Sequence, residues 1–201
     1  MAGGGGRRVL GGIFVGGRGS RMGGAAKGLL HAPGGEPIVL RTQRLFAELG
    51  IDCVLVGAHP AYRNLGLELL VDDGAAEGPL AGILALLERA GDRNVVAVAC
   101  DMPFIEKALL ARLIDAPPAP VVAPRRHDPE RNRRVWEPLF ARYAPSVRPA
   151  AYAYARRGGR KLQELLDLAG AQPLDLVPTD ESSLIDWDTL PVASTHDNKD
   201  A

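Results

Sequence analysis

A chain of 201 residues with 46% apolar side chains is long enough for one good hydrophobic core and too short for two comfortable ones. Lys and Arg number 24, as do Asp and Glu, and this zero net charge argues against a protein whose main task is gripping a nucleic-acid backbone or an anionic membrane surface. No apolar run approaches the roughly 20 residues that cross a bilayer, and the two cysteines, Cys53 and Cys100, sit in apolar runs as reduced thiols do, so a cytoplasmic protein without a disulfide is expected.

Residues 1–8 read as a flexible N-terminus rather than a signal sequence. Val9 to Val15 then reads as a first strand, followed by a glycine-rich loop from Gly16 to Lys27. A helix is expected over about Val39 to Leu49, ended by Gly50 in a left-handed cap. Asp52 to Val56 forms a second strand and Leu69 to Val71 a short third. Leu80, Ile83, Leu84 and Leu87 recur at helical spacing after Pro79, which suits a first helical turn, and Gly91 closes that helix. Val95 to Ala99 is a continuous apolar strand that delivers Cys100 and Asp101 to its carboxyl end.

Beyond Pro117 the texture turns Pro-rich and Arg-rich, with shorter elements at Val135 to Tyr143, Lys161 to Leu168 and Leu184 to Trp187. Thr195 to Ala201 reads as a frayed tail. Strands alternating with amphipathic stretches predict a single α/β domain over residues 9–194 with a largely parallel sheet. Ligands of such sheets bind beyond the carboxyl ends of the strands, and both the glycine loop and Asp101 emerge there.

The loop packs glycine where only a bare backbone can curl around phosphate oxygens, and Arg18, Arg21 and Lys27 supply charge. Spacing sets aside the familiar alternatives. A P-loop needs Lys directly after its second glycine, whereas Gly24 is followed by Ala25; a dinucleotide fingerprint from Gly17 and Gly19 needs Gly where Met22 stands. A plain Gly-rich turn remains the ordinary alternative.

The segment Gly16-Gly17-x-x-Ser20-Arg21-Met22-Gly23-x-x-x-Lys27 resembles the signature loop of nucleotidyltransferases, specifically of the molybdenum cofactor guanylyltransferases. Gly78-Pro-Leu-Ala-Gly-Ile83 is similar to that family's helix-opening motif and Cys100-Asp-Met-Pro-Phe104 to its metal-binding strand end, while Glu137-Pro-Leu-Phe140 and Ile185-Asp-Trp-Asp-Thr189 are similar to its weaker motifs. At three places the chain departs from the family pattern: Phe14-Val15 stand for Leu-Ala, Ala26 for Asp, and Gly57 for the frequent Asn at the end of strand two.

The resemblance implies a Rossmann-like three-layer sandwich of the nucleotide-diphospho-sugar transferase type, with residues 9–104 as the nucleotide and metal half and 105–194 as the acceptor half. It implies Mg²⁺-dependent transfer of GMP from GTP to molybdopterin with release of pyrophosphate. It also implies transient contact with other cofactor-biosynthesis proteins or apo-molybdoenzymes, and none with nucleic acid or membrane. Carried onto this chain, it places Lys27, Arg21 and Asp101 in catalysis. Phe14, Val15, Gly16, Gly17, Lys27, Gly57, Gly78 and Asp101 fall at the nucleotide, with either Asp72 or Asp73 at the base or ribose.

Mg²⁺ prefers oxygen ligands and often takes only one or two carboxylates, so Asp101 can anchor it. The resemblance implies Asp186 or Asp188, which share one face of a strand, as second ligand, with a purely structural role for both as the plainer reading. Asp101 capping the turn into Pro103 is the plainer reading of that residue. The run from Arg125 to Arg134 carries Arg125, Arg126, Arg131, Arg133 and Arg134, guanidinium groups suited to bidentate capture of the acceptor's phosphate, although a solvated loop has the same composition. Gly159-Arg-Lys161 is a second candidate anion site, and the four histidines lack metal-ligand spacing.

Three rival readings stay in view: a CTP-dependent molybdopterin cytidylyltransferase, a sugar-phosphate nucleotidylyltransferase, and a non-catalytic nucleotide-binding regulator. Gly16-Gly17 and the Gly-Pro-Leu-Ala-Gly helix start favour the guanylyl branch, and retention of Lys27 and Asp101 weighs against the regulator.

Overall fold

Strand β1 (Val9–Phe14) is buried along its whole length, and its side chains alternate between two separate apolar layers. Leu10 and Phe14 enter one layer, Val9 and Ile13 the other, as the two-residue period of a strand between helical layers requires. The computed structural model describes residues 9–15, 26–71, 78–128 and 132–185. Within them the chain continues through α1 (Ile38–Glu48), β2 (Cys53–Val56), β3 (Leu69–Leu70), α2 (Pro79–Ala90), β4 (Asn94–Ala99), α3 (Lys107–Asp115), β5 (Val121–Ala123), β6 (Arg125–Asp128), β7 (Arg133–Trp136), β8 (Phe140–Tyr143), α4 (Arg148–Arg156), α5 (Leu162–Leu168), β9 (Gln172–Pro173) and α6 (Asp180–Ser183).

A seven-stranded sheet runs in the order β3-β2-β1-β4-β8-β5-β9, and β6 and β7 form a separate antiparallel hairpin. β3, β2, β1 and β4 are parallel; β8 lies antiparallel between β4 and β5, and β9 pairs parallel to β5. Val39 and Phe46 of α1 share one core with Leu109 and Leu113 of α3. Ile83 and Leu87 of α2 share the other with Ala151 of α4 and Leu165 of α5. The expected three-layer sandwich with a mostly parallel sheet is therefore the observed architecture. Among the described residues no helix is long and apolar enough to cross a membrane.

Two adjacent glycines explain how the layers close on β1. A Cβ at Gly12 would lie 2.3 Å from Leu86 Cδ2, and one at Gly11 would lie 2.9 Å from both Cys53 Cβ and Phe46 Cζ. Because neighbouring strand residues face opposite sides, α2 and α1 both approach the central strand to a distance that only glycine permits.

The expected element boundaries hold to within one or two residues for β1, α1, β2, β3, α2, β4 and α5. Gly50 and Gly91 end α1 and α2 with φ of 70° and 65°. Several features differ from the sequence reading. The run expected from Val135 to Tyr143 is two strands, because the chain turns at Glu137–Leu139, where Pro138 cannot donate to a ladder. The element expected at Leu184 to Trp187 is a turn at Leu184 and irregular chain at Ile185 directly after α6, and its remainder lies outside the described residues. Helices α3, α4 and α6 and strands β5 and β9 are additional to the sequence reading, and the Arg125–Arg134 run, read there as a loop, is the β6–β7 hairpin.

A buried arginine fixes the join between α3 and β8. Arg142, 4% exposed, donates from Nη1 to the carbonyls of Ile114 and Ala116 at 2.9 and 2.6 Å and from Nη2 to that of Pro117 at 2.6 Å. These carbonyls cluster at the carboxyl end of α3, where orphan acceptors and the helix dipole both favour a cation.

Candidate active site

Strand β1 has β2 on one side and β4 on the other, all three parallel. The crossover after β1 passes through α1 on one face, and the crossover before β4 passes through α2 on the other. The carboxyl ends of β1 and β4 therefore frame the crevice where the two crossovers diverge, the usual ligand position of an open α/β sheet. Phe14 lies in register with Ala99, and the Cys100 N–H donates to the Phe14 carbonyl at 3.1 Å. The Val15 N–H donates in turn to the Val56 carbonyl at 2.9 Å, so the strand ends bearing Val15, Gly57 and Asp101 leave the sheet together.

Lys27 opens a short 3-10 turn, Lys27–Leu29, that returns the chain to this edge. The next residue, Gly28, packs so closely that an added Cβ would meet Cys100 Cβ at 3.0 Å and the Tyr62 hydroxyl at 3.1 Å. Lys27 and Asp101 are thus the chain neighbours of two residues in van der Waals contact, and both are partly buried. Burial, with the negative charge of Asp101 adding to it, pushes the Cys100 thiol up to about 11. Burial also raises the Tyr62 hydroxyl far above its ordinary value, so both groups stay protonated at neutral pH.

Two further predicted residues border the same edge. Gly57 has φ of 134°, a backbone that glycine accepts readily, and its N–H donates to the Leu70 carbonyl at 2.9 Å. Gly78, at φ of 67°, precedes Pro79 at the start of α2. Since α2 leads back into the parallel strand β4, its amino terminus, with partial positive charge, lies at the carboxyl edge of the sheet.

The arginine run folds into the β6–β7 hairpin. β5 is parallel to β4, and β6 follows it directly, so the hairpin rises from the same edge. Cross-strand pairing sets Arg125 opposite Trp136, His127 opposite Arg134, Arg126 opposite Val135 and Asp128 opposite Arg133. Arg125 and Arg134 consequently share one face, and Arg126 and Arg133 the other. Arg125 stacks 4.7 Å above the Trp136 ring. Arg126 is bound to Glu137 at 3.1 Å and to the Leu184 carbonyl at 2.6 Å. Lys161, of the second candidate anion site, pairs with Glu164 on the exposed surface.

The contact of Arg126 with Leu184 also brings the end of the described chain to the site. Ser182 and Ser183 line a cavity of about 250 Å³ together with Arg41, Pro103 and Phe104. Residues just before Asp186 therefore pack beside residues just after Asp101. The buried Asp180 holds α6 in place by pairing with Arg112 and accepting the Val177 N–H at 2.7 Å. Gly16, Gly17, Arg21, Asp72, Asp73, Arg131, Asp186 and Asp188 lie outside the described residues.

Sequence reasoning missed Tyr62, Gly28, Trp136 and Gln163. Gln163 accepts the Trp136 N–H at 2.9 Å and donates to its carbonyl at 2.7 Å, fastening the hairpin to α5. Of the four, only Gly28 had a signal, its place directly after the loop lysine.

Comparison with known proteins agrees with this fold. A molybdenum cofactor guanylyltransferase of Cupriavidus necator is 34% identical over 95% of this chain and 97% of its own length. One from Cupriavidus taiwanensis is 38% identical over 77% of this chain and 80% of its own. The crystal structure of molybdopterin-guanine dinucleotide biosynthesis protein A from Archaeoglobus fulgidus superposes with a TM-score of 0.69 at 23% identity, covering 88% of this chain and 91% of that one. A 2-C-methyl-D-erythritol 4-phosphate cytidylyltransferase from Thermus thermophilus gives 0.62 at 19% identity, over 89% of this chain and 91% of that one, a likeness of fold. Residues 11–173, which run from β1 through the switch point and the hairpin to β9, match the MobA-like NTP transferase domain, and the chain belongs to that family.

Proposed function

We propose that this protein transfers GMP from GTP to molybdopterin, with release of pyrophosphate, in the cytoplasm. The observation that supports the proposal is the packing of Gly28 on Cys100 at the β1–β4 switch point, which brings the chain segments bearing Lys27 and Asp101 together. Relatives named for that activity match 77–95% of the chain. In the reaction an oxygen of the acceptor's phosphate attacks the α-phosphorus of GTP. The bond from that phosphorus to the bridging oxygen breaks, and pyrophosphate leaves with the electron pair.

The obstacle is mutual repulsion of anions, and Lys27 offsets it with a positive charge near the polyphosphate. The amino terminus of α2 adds partial positive charge on the same edge. Phe14, Val15, Gly16, Gly17, Gly57 and Gly78 bound the nucleotide, and Asp72 or Asp73 accepts from the base or ribose. Guanine presents N–H donors at N1 and N2, and acceptors built for that pair are left unsatisfied by adenine, which gives a preference for GTP.

Asp101 presents hard carboxylate oxygens at a partly buried strand end, a donor set suited to Mg²⁺. Asp101 would hold that ion, with Asp186 or Asp188 supplying a further oxygen. When bound, Mg²⁺ neutralises charge on the α-phosphate and on the leaving pyrophosphate. Arg125 and Arg134, sharing a face of the hairpin, bind the acceptor's phosphate; Arg126, engaged by Glu137 and Leu184, holds the hairpin against the segment leading to Asp186.

The test is to incubate the protein with Mg²⁺, molybdopterin and each triphosphate in turn, and to measure pyrophosphate. Release with GTP in preference to CTP or ATP is expected. Equal release with CTP would withdraw the guanylyl assignment, and no release with any triphosphate would withdraw the transferase.

A further inference from the structure

Tyr62 lies 34 residues from Gly28, just beyond the glycine loop, and belongs to none of the motifs described above. It closes a short 3-10 turn, Pro60–Tyr62, in the connection between β2 and β3, and is 1% exposed. The turn is itself fixed, because His59 Nδ1 accepts the Ala61 N–H at 3.2 Å and the His59 ring packs edge-on to Tyr62 with centroids 5.5 Å apart. The Tyr62 hydroxyl points inward, accepts the Gly28 N–H at 3.0 Å, and lies close to Cys100, since a Cβ at Gly28 would stand 3.1 Å from that oxygen and 3.0 Å from Cys100 Cβ. One buried oxygen thus bonds the residue after Lys27 at the point where that residue packs on the one before Asp101. Its immobility is transmitted to both, since Gly28 has no side chain to rotate and Cys100 is tied through its own N–H to Phe14.

We infer that Tyr62 is a positioning residue for the polyphosphate site, its hydroxyl setting the separation of Lys27 from Asp101 by fixing Gly28 where it packs against Cys100. The inference rests on the nucleotidyltransferase reading and extends it to a residue from the β2–β3 connection. Catalytic groups displaced by about 1 Å can lose 10²-fold in rate, and the Gly28 anchor lies one residue from the cation concerned. A phenyl ring fills the same space but cannot accept the Gly28 N–H.

The experiment compares the Tyr62→Phe, Lys27→Ala and double variants by calorimetric titration with Mg·GTP and with GMP, all on the full chain. Tyr62→Phe is expected to weaken GTP binding about 5- to 10-fold and GMP binding less than 2-fold, as a loss routed through the lysine requires. In the Lys27→Ala background the same substitution should add less than 2-fold, because groups that act as one unit are non-additive. Full additivity, or equal weakening of GTP and GMP, would overturn the inference and leave Tyr62 as packing only.

Hydrogen exchange of the ligand-free protein supplies a second measure, valid for any folded variant. Tyr62→Phe should speed exchange at Gly28 to Leu30 by 10-fold or more while β1 and β4 are unchanged. Unchanged exchange at Gly28 would also overturn the inference. If the wild-type chain bound no triphosphate, the proposed function would fall, and the exchange result alone would decide whether Tyr62 anchors this turn.

Discussion

Replacing Gly28 by alanine tests the closeness of the two strand-end segments more directly than any change to a charged group. The new methyl would stand 3.0 Å from Cys100 Cβ and 3.1 Å from the Tyr62 hydroxyl, and 3.3 Å from Tyr62 Cε1. Ordinary contact begins near 3.4 Å, so each neighbour must give way by a few tenths of an ångström. Neither is the loose end of a long side chain: Cys100 Cβ is one bond from a backbone that donates to Phe14, and Tyr62 is enclosed. Overpacking of this kind costs about 1–3 kcal/mol, and stretching of the Gly28 hydrogen bond adds to it. For a domain of this size each kcal/mol lowers Tm by roughly 2–4 °C, so a fall of about 2–12 °C is expected by calorimetry. Pyrophosphate release well below that Tm should drop by about 10- to 100-fold, because the turn beginning with Lys27 is displaced. A variant melting within a degree of wild type and turning over normally would refute the packing on which the site description depends.

Asp101→Asn should keep the fold and most nucleotide affinity yet lose two or more orders of magnitude in turnover, a loss of about 3 kcal/mol or more in transition-state stabilisation; near-normal pyrophosphate release would remove Asp101 from the metal role. Lys27→Ala should weaken triphosphate binding more than monophosphate binding, and calorimetry showing equal weakening would make the lysine structural. Burial, with the charge of Asp52 adding to it, raises the Cys53 thiol from 9.0 to about 11, so the folded state favours the protonated thiol. That contribution to stability is complete below pH 9 and is lost as pH rises toward 11. Thermal melts across that window should show a decline that is shallower in Cys53→Ala, and parallel curves would contradict it.

The nucleotide half was legible because its signals are local. An unbroken apolar run such as Val95 to Ala99 fits a strand buried on both faces, and Pro79 with Gly91 brackets a helix whose apolar spacing lies between them. The acceptor half was less so. Leu109, Leu110, Leu113 and Ile114 give α3 a helical spacing over only nine residues, whereas α4 buries only Ala151 and carries little pattern to find. No local rule could place β8 antiparallel between two strands that are parallel to each other, since that order is fixed by pairing across the chain. The same limit applied at the site. Loop lysine and strand-end aspartate stand out by residue type, but Tyr62 gains its meaning from a hydrogen bond to a distant backbone N–H. The two faces of the arginine hairpin likewise depend on its register, which composition does not state.

The placement of β8 against β4 has a consequence for how the chain is made. β3, β2, β1 and β4 come from residues before Cys100 and can assemble as soon as these leave the ribosome. β4 is then the outermost strand, and Val95 to Val98, fully enclosed in the finished protein, present a bare ladder of backbone groups and valine side chains. The strand that covers them begins at Phe140, roughly 40 residues later, which at about 5–20 residues per second is an interval of about 2–8 s. During it the nascent chain offers a sticky edge to any other half-made copy, and chains broken off before Tyr143 keep that edge permanently. Phe140–Tyr143 is therefore the segment that takes the central valine strand off the edge of the sheet.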